Sequence, residues 1–436
     1  MTSCYSIKCL SCGFEIKRHL FLEFTAVLLR DETADVHSNI YSGLIGVTVF
    51  FLIISIFTLP NGPFTRPHPA FWRCVLGASI MYLLLLQFLI HQDYQTIRSM
   101  VIWFDPKMAN YTIDSEKEYG TNCWDISPSK LYAHLDWFAF GHYWGWGMKA
   151  LIIRHYGLLW SVSIMWELTE MVFGHLLPNF YECWWDNLVL DVLVCNGLGI
   201  FTGMQVCKFF EMREFKWESI KDKPTIGGKF KRALMQFTPQ SFSYTRWLDP
   251  NQGYMRLVAV IQYMLIWQMV ELNTFWLKHI FPLPAEHPLC VFRILMTGLI
   301  SAPSTRQYYT YITDPRCKRI GTQCWVFLMV GFSELILVLK FGRELFSQTQ
   351  LSKVLLWFAL NILVSCAGVL VSMQIYKWRF NKETGDDSTD MTANEKVEKY
   401  LSEDVGDGQE EVKESFQDET GKDSLVRQRP THQHSE

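Results

Sequence analysis

The chain has 436 residues, 49% of them hydrophobic and 15% aromatic, with a formal charge of −3 at pH 7. Its apolar residues lie in runs of about 20, the length that crosses a bilayer core of roughly 30 Å, which excludes a string of soluble domains. Charge is uneven: residues 381–436 hold 16 Asp/Glu against 7 Lys/Arg, a net −9 that leaves +6 on the remainder, and no nucleic-acid partner is expected.

In chain order, residues 1–39 form an atypical N-terminal segment. Its apolar patch Leu20–Leu29 is short, contains Glu23 and lacks a cleavage site, so it reads as the remnant of a first span and not as a signal peptide. Cys9 and Cys12 have zinc-like spacing, but no second ligand pair follows, and coincidence is the better reading. Many of the other cysteines sit inside apolar runs, where a thiol behaves as a small hydrophobe. Nine spans then follow, at 40–59, 70–90, 135–153, 157–177, 187–209, 254–279, 288–304, 323–341 and 353–376. The predicted fold class is therefore all-α: a polytopic membrane bundle of nine to ten helices, with a catalytic domain over 40–376. Residues 377–436 read as a disordered, acidic cytosolic tail.

Basic residues assign the two sides. Arg66, Arg154, the segment 210–253, Arg306, Arg316, Lys318 and Arg319 fall on one side, which should be cytosolic. The other side holds the 91–134 loop, whose Asn110–Thr112 is the chain's one N-glycosylation sequon, and should be lumenal.

Buried charge locates the chemistry. A charged side chain at mid-span costs about 2.5–3.5 kcal/mol, so each one asks for a reason. At 1.5 Å per residue, His142 and Glu170 lie roughly 10 Å from the lumenal end of their spans, Asp191 roughly 6 Å and Asn196 roughly 14 Å. Glu167 lies a turn below Glu170, Glu182 and Asp186 sit at the mouth, and Glu271, Asn273 and Glu334 occupy the same half. Carboxylates with amide carbonyls suit a hard cation such as Ca²⁺, Mg²⁺ or Mn²⁺, which would also bind a phosphate oxygen. His142 is then the natural general base for an alcohol. Asp186 and Asp191, five apart, should point about 140° apart on a regular helix and not share an ion. Trp184 and Trp185 either anchor the helix at the interface or face a quaternary ammonium. An ion pair with Lys149 is the alternative for Glu167 and Glu170, and Glu334 reads as structural. Gly199 and Gly203 form a small-xxx-small pair that lets a neighbouring helix approach closely.

The strings "FGHYWGWGMKALIIR", "SIMWELTE", "LPNFYECWWDNLVLDVLVCNGLGI", "ELNTFWLKHIF" and "RQYYTYITDPRCKRIGTQCWVF" resemble the eukaryotic base-exchange phosphatidylserine synthases, from about residue 40 to 376. The last string is nearer to the type 1 enzymes than to type 2. The resemblance implies a calcium-dependent enzyme of the endoplasmic reticulum and its mitochondria-associated regions. Such an enzyme replaces the headgroup of phosphatidylcholine or phosphatidylethanolamine with L-serine; a homodimer is also expected. The family's essential positions match His142, Glu167, Glu170, Asn179, Glu182, Asp186, Asp191 and Asn196. The expected roles are catalysis for His142, Glu167, Glu170 and Asp191, and substrate binding for Asn179, Trp184, Trp185, Asn196, Glu271 and Asn273. Calcium falls to Glu170, Glu182, Asp186, Asp191 and Asn196. Arg66, in "PFTRPHP", matches a segment tied to product feedback. A CDP-alcohol phosphotransferase is the rival enzyme, but its DG-x-x-AR core is missing. A solute transporter would place its charges at the midplane rather than toward one side.

Overall fold

In a computed structural model of the chain, the described residues are 36–112, 120–124, 127–134, 137–177, 180–211, 225–235, 245, 247–248 and 254–387. Among them there are helices and no strand. The first helices are α1 (Val36–Thr58), α2 (Pro69–Ile90) and α3 (Tyr94–Phe104), followed by a 3₁₀ turn at Pro106–Asn110. Next come α4 (Pro128–His134), α5 (Trp137–Ile153) and α6 (Tyr156–Phe173). A π-helix (Asp186–Gly197) runs straight into α7 (Leu198–Glu211), and α8 covers Ile226–Met235. The series closes with α9 (Tyr254–Ile280), α10 (Pro288–Thr313), α11 (Thr322–Phe341), α12 (Arg343–Ser347) and α13 (Leu351–Asp387).

Helix starts follow local chemistry. His68 and His287 each cap a helix whose first residue is Pro, and Asp93 caps α3 by accepting from the Thr96 amide at 2.7 Å. Among the described residues each of the nine predicted spans carries a helix, and seven of these are long and apolar enough to cross a membrane by length and composition. The two that fall short are α5, at 17 residues, and α6, whose Glu167 and Glu170 lower its hydropathy. The described residues up to Val371 fall in one compact unit; those from Ser372 fall in a second and are helical to Asp387, past the expected start of the tail. The N-terminal patch, Cys9, Cys12 and the tail beyond 387 lie outside the described residues.

Two helix groups build the first unit. In one, α11 lies against α2, α9 and α10, with Leu76, Leu86, Val326, Val330 and Leu337 buried between α2 and α11. In the other, α5 packs along the π-helix and α7. Gly199 and Gly203 permit that approach: a Cβ at Gly203 would stand 2.6 Å from the Gly147 carbonyl oxygen, and one at Gly199 2.5 Å from that of Tyr143. Contacts of α6 with α9 and of α5 with α10 join the groups.

Candidate active site

The sequence D-x₄-D-x₄-N over 186–196 takes its meaning from the π-helix. Its hydrogen bonds run from residue i to i+5, so residues five apart stack on one face instead of diverging. Asp186, Asp191 and Asn196 are accordingly all buried, at 4%, 6% and 0% exposure, while Leu188, Val189, Leu193 and Val194 face outward. The expectation that Asp186 and Asp191 point apart assumed a regular α-helix, and the wider π turn removes its basis.

Helix α6 supplies the facing acids. Glu167 is held by two amides: Asn196 Nδ2 donates to its Oε1 at 2.8 Å and Asn187 Nδ2 to its Oε2 at 2.7 Å. Asn196 Nδ2 also donates to Ser163 Oγ at 3.0 Å, leaving its own Oδ1 buried without a partner. Glu170 accepts from the Trp166 indole at 2.7 Å through Oε1, and its Oε2 is buried and unpaired. Glu182 lies before the helix rather than on its first turn, and its Oε2 is likewise buried without a partner. Burial, reinforced by the negative charge of Asp191, pushes the Glu182 carboxyl up to about 10. On α5, His142 Nδ1 stands 3.3 Å from Asp191 Oδ1.

A cavity of about 600 Å³ opens onto this cluster. His134, His142, Glu170, Glu182, Asp186 and Asp191 line its acidic part. The rest is walled mainly by apolar side chains of α2, α3, α9 and α10 and of the turn after α9, among them Leu85, Leu89, Val101, Phe281 and Phe292, with Lys278 and Arg293 as its basic groups. Unpaired, buried carboxylate and amide oxygens are a donor set that a hard cation satisfies. Among the described residues no three His, Cys, Asp or Glu side chains already converge as a metal site, so the set fits in chemistry without being preassembled.

The remaining predicted residues fall elsewhere. Glu271 pairs with Lys149 at 2.7 Å, so Lys149 is not the partner of Glu167 or Glu170. Asn273 donates to the Gly331 carbonyl at 2.9 Å, and Glu334 is clasped by Arg293. Trp185 is buried with its ring 4.8 Å from that of His134, whereas Trp184 is half-exposed beside Trp124. The Arg66 carbonyl accepts the Trp72 indole at 2.6 Å. Asn179 lies outside the described residues. His134 is the side chain that the sequence reading passed over. It occupies a seven-residue helix outside every apolar run, and its one signal is a second histidine eight residues before His142.

A family model described as Phosphatidyl serine synthase matches residues 67–342. A Drosophila melanogaster protein named Phosphatidylserine synthase is 55% identical over 340 residues, which cover 78% of this chain and 68% of that relative. Danio rerio Phosphatidylserine synthase 1 is 53% identical over 329 residues, 75% of this chain and 70% of the relative. An Arabidopsis thaliana protein named CDP-diacylglycerol--serine O-phosphatidyltransferase 1 is 36% identical over 358 residues, 80% of this chain and 82% of the relative.

Proposed function

The chain belongs to the phosphatidylserine synthase family and is a membrane enzyme of phosphatidylserine synthesis; from that premise we propose that it works by calcium-dependent base exchange, replacing the choline or ethanolamine of a phospholipid with L-serine. The observation that carries this reading is the cavity itself, with an acidic, oxygen-rich part and a mainly apolar remainder. A phospholipid presents the same division between phosphodiester and acyl chains.

Glu170, Glu182, Asp186, Asp191 and Asn196 would hold the calcium ion, which when bound offsets the negative charge of the phosphate. His142 takes the proton from the serine hydroxyl, and Asp191 beside it stabilises the imidazolium that forms. The serine oxygen bonds to phosphorus, the bond from phosphorus to the choline oxygen breaks, and His142 returns the proton to choline. Glu167, tied to Asn187 and Asn196, fixes α6 against the π-helix. One phosphodiester replaces another, so the exchange is close to thermoneutral and asks for no nucleotide.

The disulfide Cys123–Cys183 supports turning the acidic part toward an oxidising lumen, because such bonds persist in that compartment. The exposed sequon residue Asn110 and the basic loops of the opposite side agree with it. The endoplasmic reticulum is the membrane proposed, and Arg66 is proposed to serve product feedback.

Purified protein given labelled serine and phosphatidylcholine, without CTP, should form phosphatidylserine and release free choline only when calcium is present. His142→Ala should abolish the incorporation. A second reading comes from the name of the Arabidopsis relative, in which CDP-diacylglycerol is the donor. Serine incorporation that needs CDP-diacylglycerol and releases CMP would replace base exchange with that reaction.

A further inference from the structure

One wall of the cavity has no part in the chemistry outlined above: the short helix α4, which ends at His134. His134 Nδ1 stands 2.6 Å from Asp186 Oδ2, and both side chains are buried. The imidazole packs on Trp185, the neighbour of Asp186 in sequence. The segment carrying it is fastened to the same place twice. Cys123 is bonded to Cys183, three residues before Asp186, across a sequence separation of 60. Lys130, in α4, then donates to the carbonyls of Thr121 and Asn122 at 2.5 and 2.6 Å. The strap therefore closes on itself, from Cys183 through Cys123 and Lys130 to His134 and back to Asp186.

We propose that His134 is a positioning residue of the active site: its ring N–H fixes the Asp186 carboxylate in line with Asp191 and Asn196, so that the π-helical stripe faces the cavity as a unit. This rests on the cation reading given above. An aspartate in the first turn of a helix has a competing choice, because the free backbone amides there attract its oxygens. A ring nitrogen at 2.6 Å decides between the two, as hydrogen bonds to ligating carboxylates do in metal sites generally. The strap supplies what a seven-residue helix lacks, a fixed position from which to do so.

The test compares His134→Ala, His134→Asn and Asp186→Asn in the purified full-length chain, reading calcium binding by calorimetry and the calcium and serine dependence of incorporation. His134→Ala should weaken calcium binding and raise half-saturating calcium by about 10- to 100-fold. His134→Asn, whose amide can still donate to Asp186, should recover to within a few-fold of wild type. The double variant H134A/D186N should be no worse than D186N alone, because His134 acts through Asp186. Wild-type calcium affinity and rate in His134→Ala would overturn the proposal. So would a folded His134→Asn as impaired as His134→Ala, or additive losses in the double variant. If wild type itself neither binds nor needs calcium, the cation reading falls by its own failure. The positioning role is then read from kcat, which His134→Ala must still lower about tenfold and His134→Asn restore. Should His134→Ala fail to fold, the comparison of His134→Asn with Asp186→Asn and their double variant carries the same decision.

Discussion

The cavity borders two buried acid clusters of opposite character. On the α2–α9–α10–α11 side, Glu334 is fully buried and both its oxygens are answered. Arg293 donates to both its oxygens, at 2.9 and 2.6 Å, and Tyr82 adds a third hydrogen bond at 2.7 Å. Arg293 also donates to the Val270 carbonyl through Nη2 and to Thr274 through Nη1. On the α5–α6–π-helix side, acids outnumber basic groups, and Glu170 Oε2, Glu182 Oε2 and Asn196 Oδ1 have no partner. Both clusters meet the cost of burying charge, and the first offsets it more completely from within. Unpaired oxygens, more than buried charge as such, therefore separate groups that hold the fold from groups kept for a ligand.

The sharpest way to break this contrast is to exchange the consequences. Glu334→Leu alone strands the Arg293 guanidinium and should cost about 3–5 kcal/mol, seen as loss of folded protein in detergent. The double variant R293M/E334L should recover most of that stability, because apolar groups can replace a complete buried pair. Asp191→Asn should do the reverse. Serine incorporation should fall at least about a hundredfold, roughly 2.7 kcal/mol in the barrier, while thermal stability without calcium holds or rises by about 1 kcal/mol. A stability loss in Asp191→Asn as large as that of Glu334→Leu would erase the distinction.

Much of this contrast was legible in the sequence, and the missing part has a physical cause. Nine apolar runs gave nine helices, because length and hydropathy are what a bilayer demands. His142, Glu170, Glu182, Asp186 and Asp191 were assembled from depth alone, and the structure brings all five to one cavity. What depth does not carry is phase. A spacing of five is incoherent at 3.6 residues per turn and coherent in a π-helix, and no local composition announces that change. The disulfide was hidden for a different reason: twelve cysteines allow many pairings, and the Cys123–Cys183 bond is set by the tertiary fold. His134 depended on both, and so was invisible until the strap was placed.

Removing the cation sharpens the comparison with a smaller effect. Calcium at about a hundred times its dissociation constant should stabilise the wild type by roughly 2.7 kcal/mol, and chelation should reverse it. The same titration on Glu334→Leu should add a similar increment, since that cluster takes no part in binding. In Asp191→Asn the increment should shrink or vanish.

Glu271 lies between the two classes and gives the smallest effect. One of its oxygens is met by Lys149 at 2.7 Å and the other, Oε2, is buried without a partner, yet it is not among the cavity-lining side chains. Lys149 also stands 3.7 Å above the centroid of the Trp146 ring, so the pair is braced on α5, the helix that carries His142. Glu271→Gln keeps the shape and removes the charge, so it should cost about 1 kcal/mol of thermal stability for a partly exposed pair. The KM for serine should stay within about twofold, since no side chain that reaches substrate is displaced. A rise in that KM of tenfold or more, with kcat unchanged, would move Glu271 into the binding set and show that its unpaired oxygen, like those of Glu170 and Glu182, is reserved for a ligand.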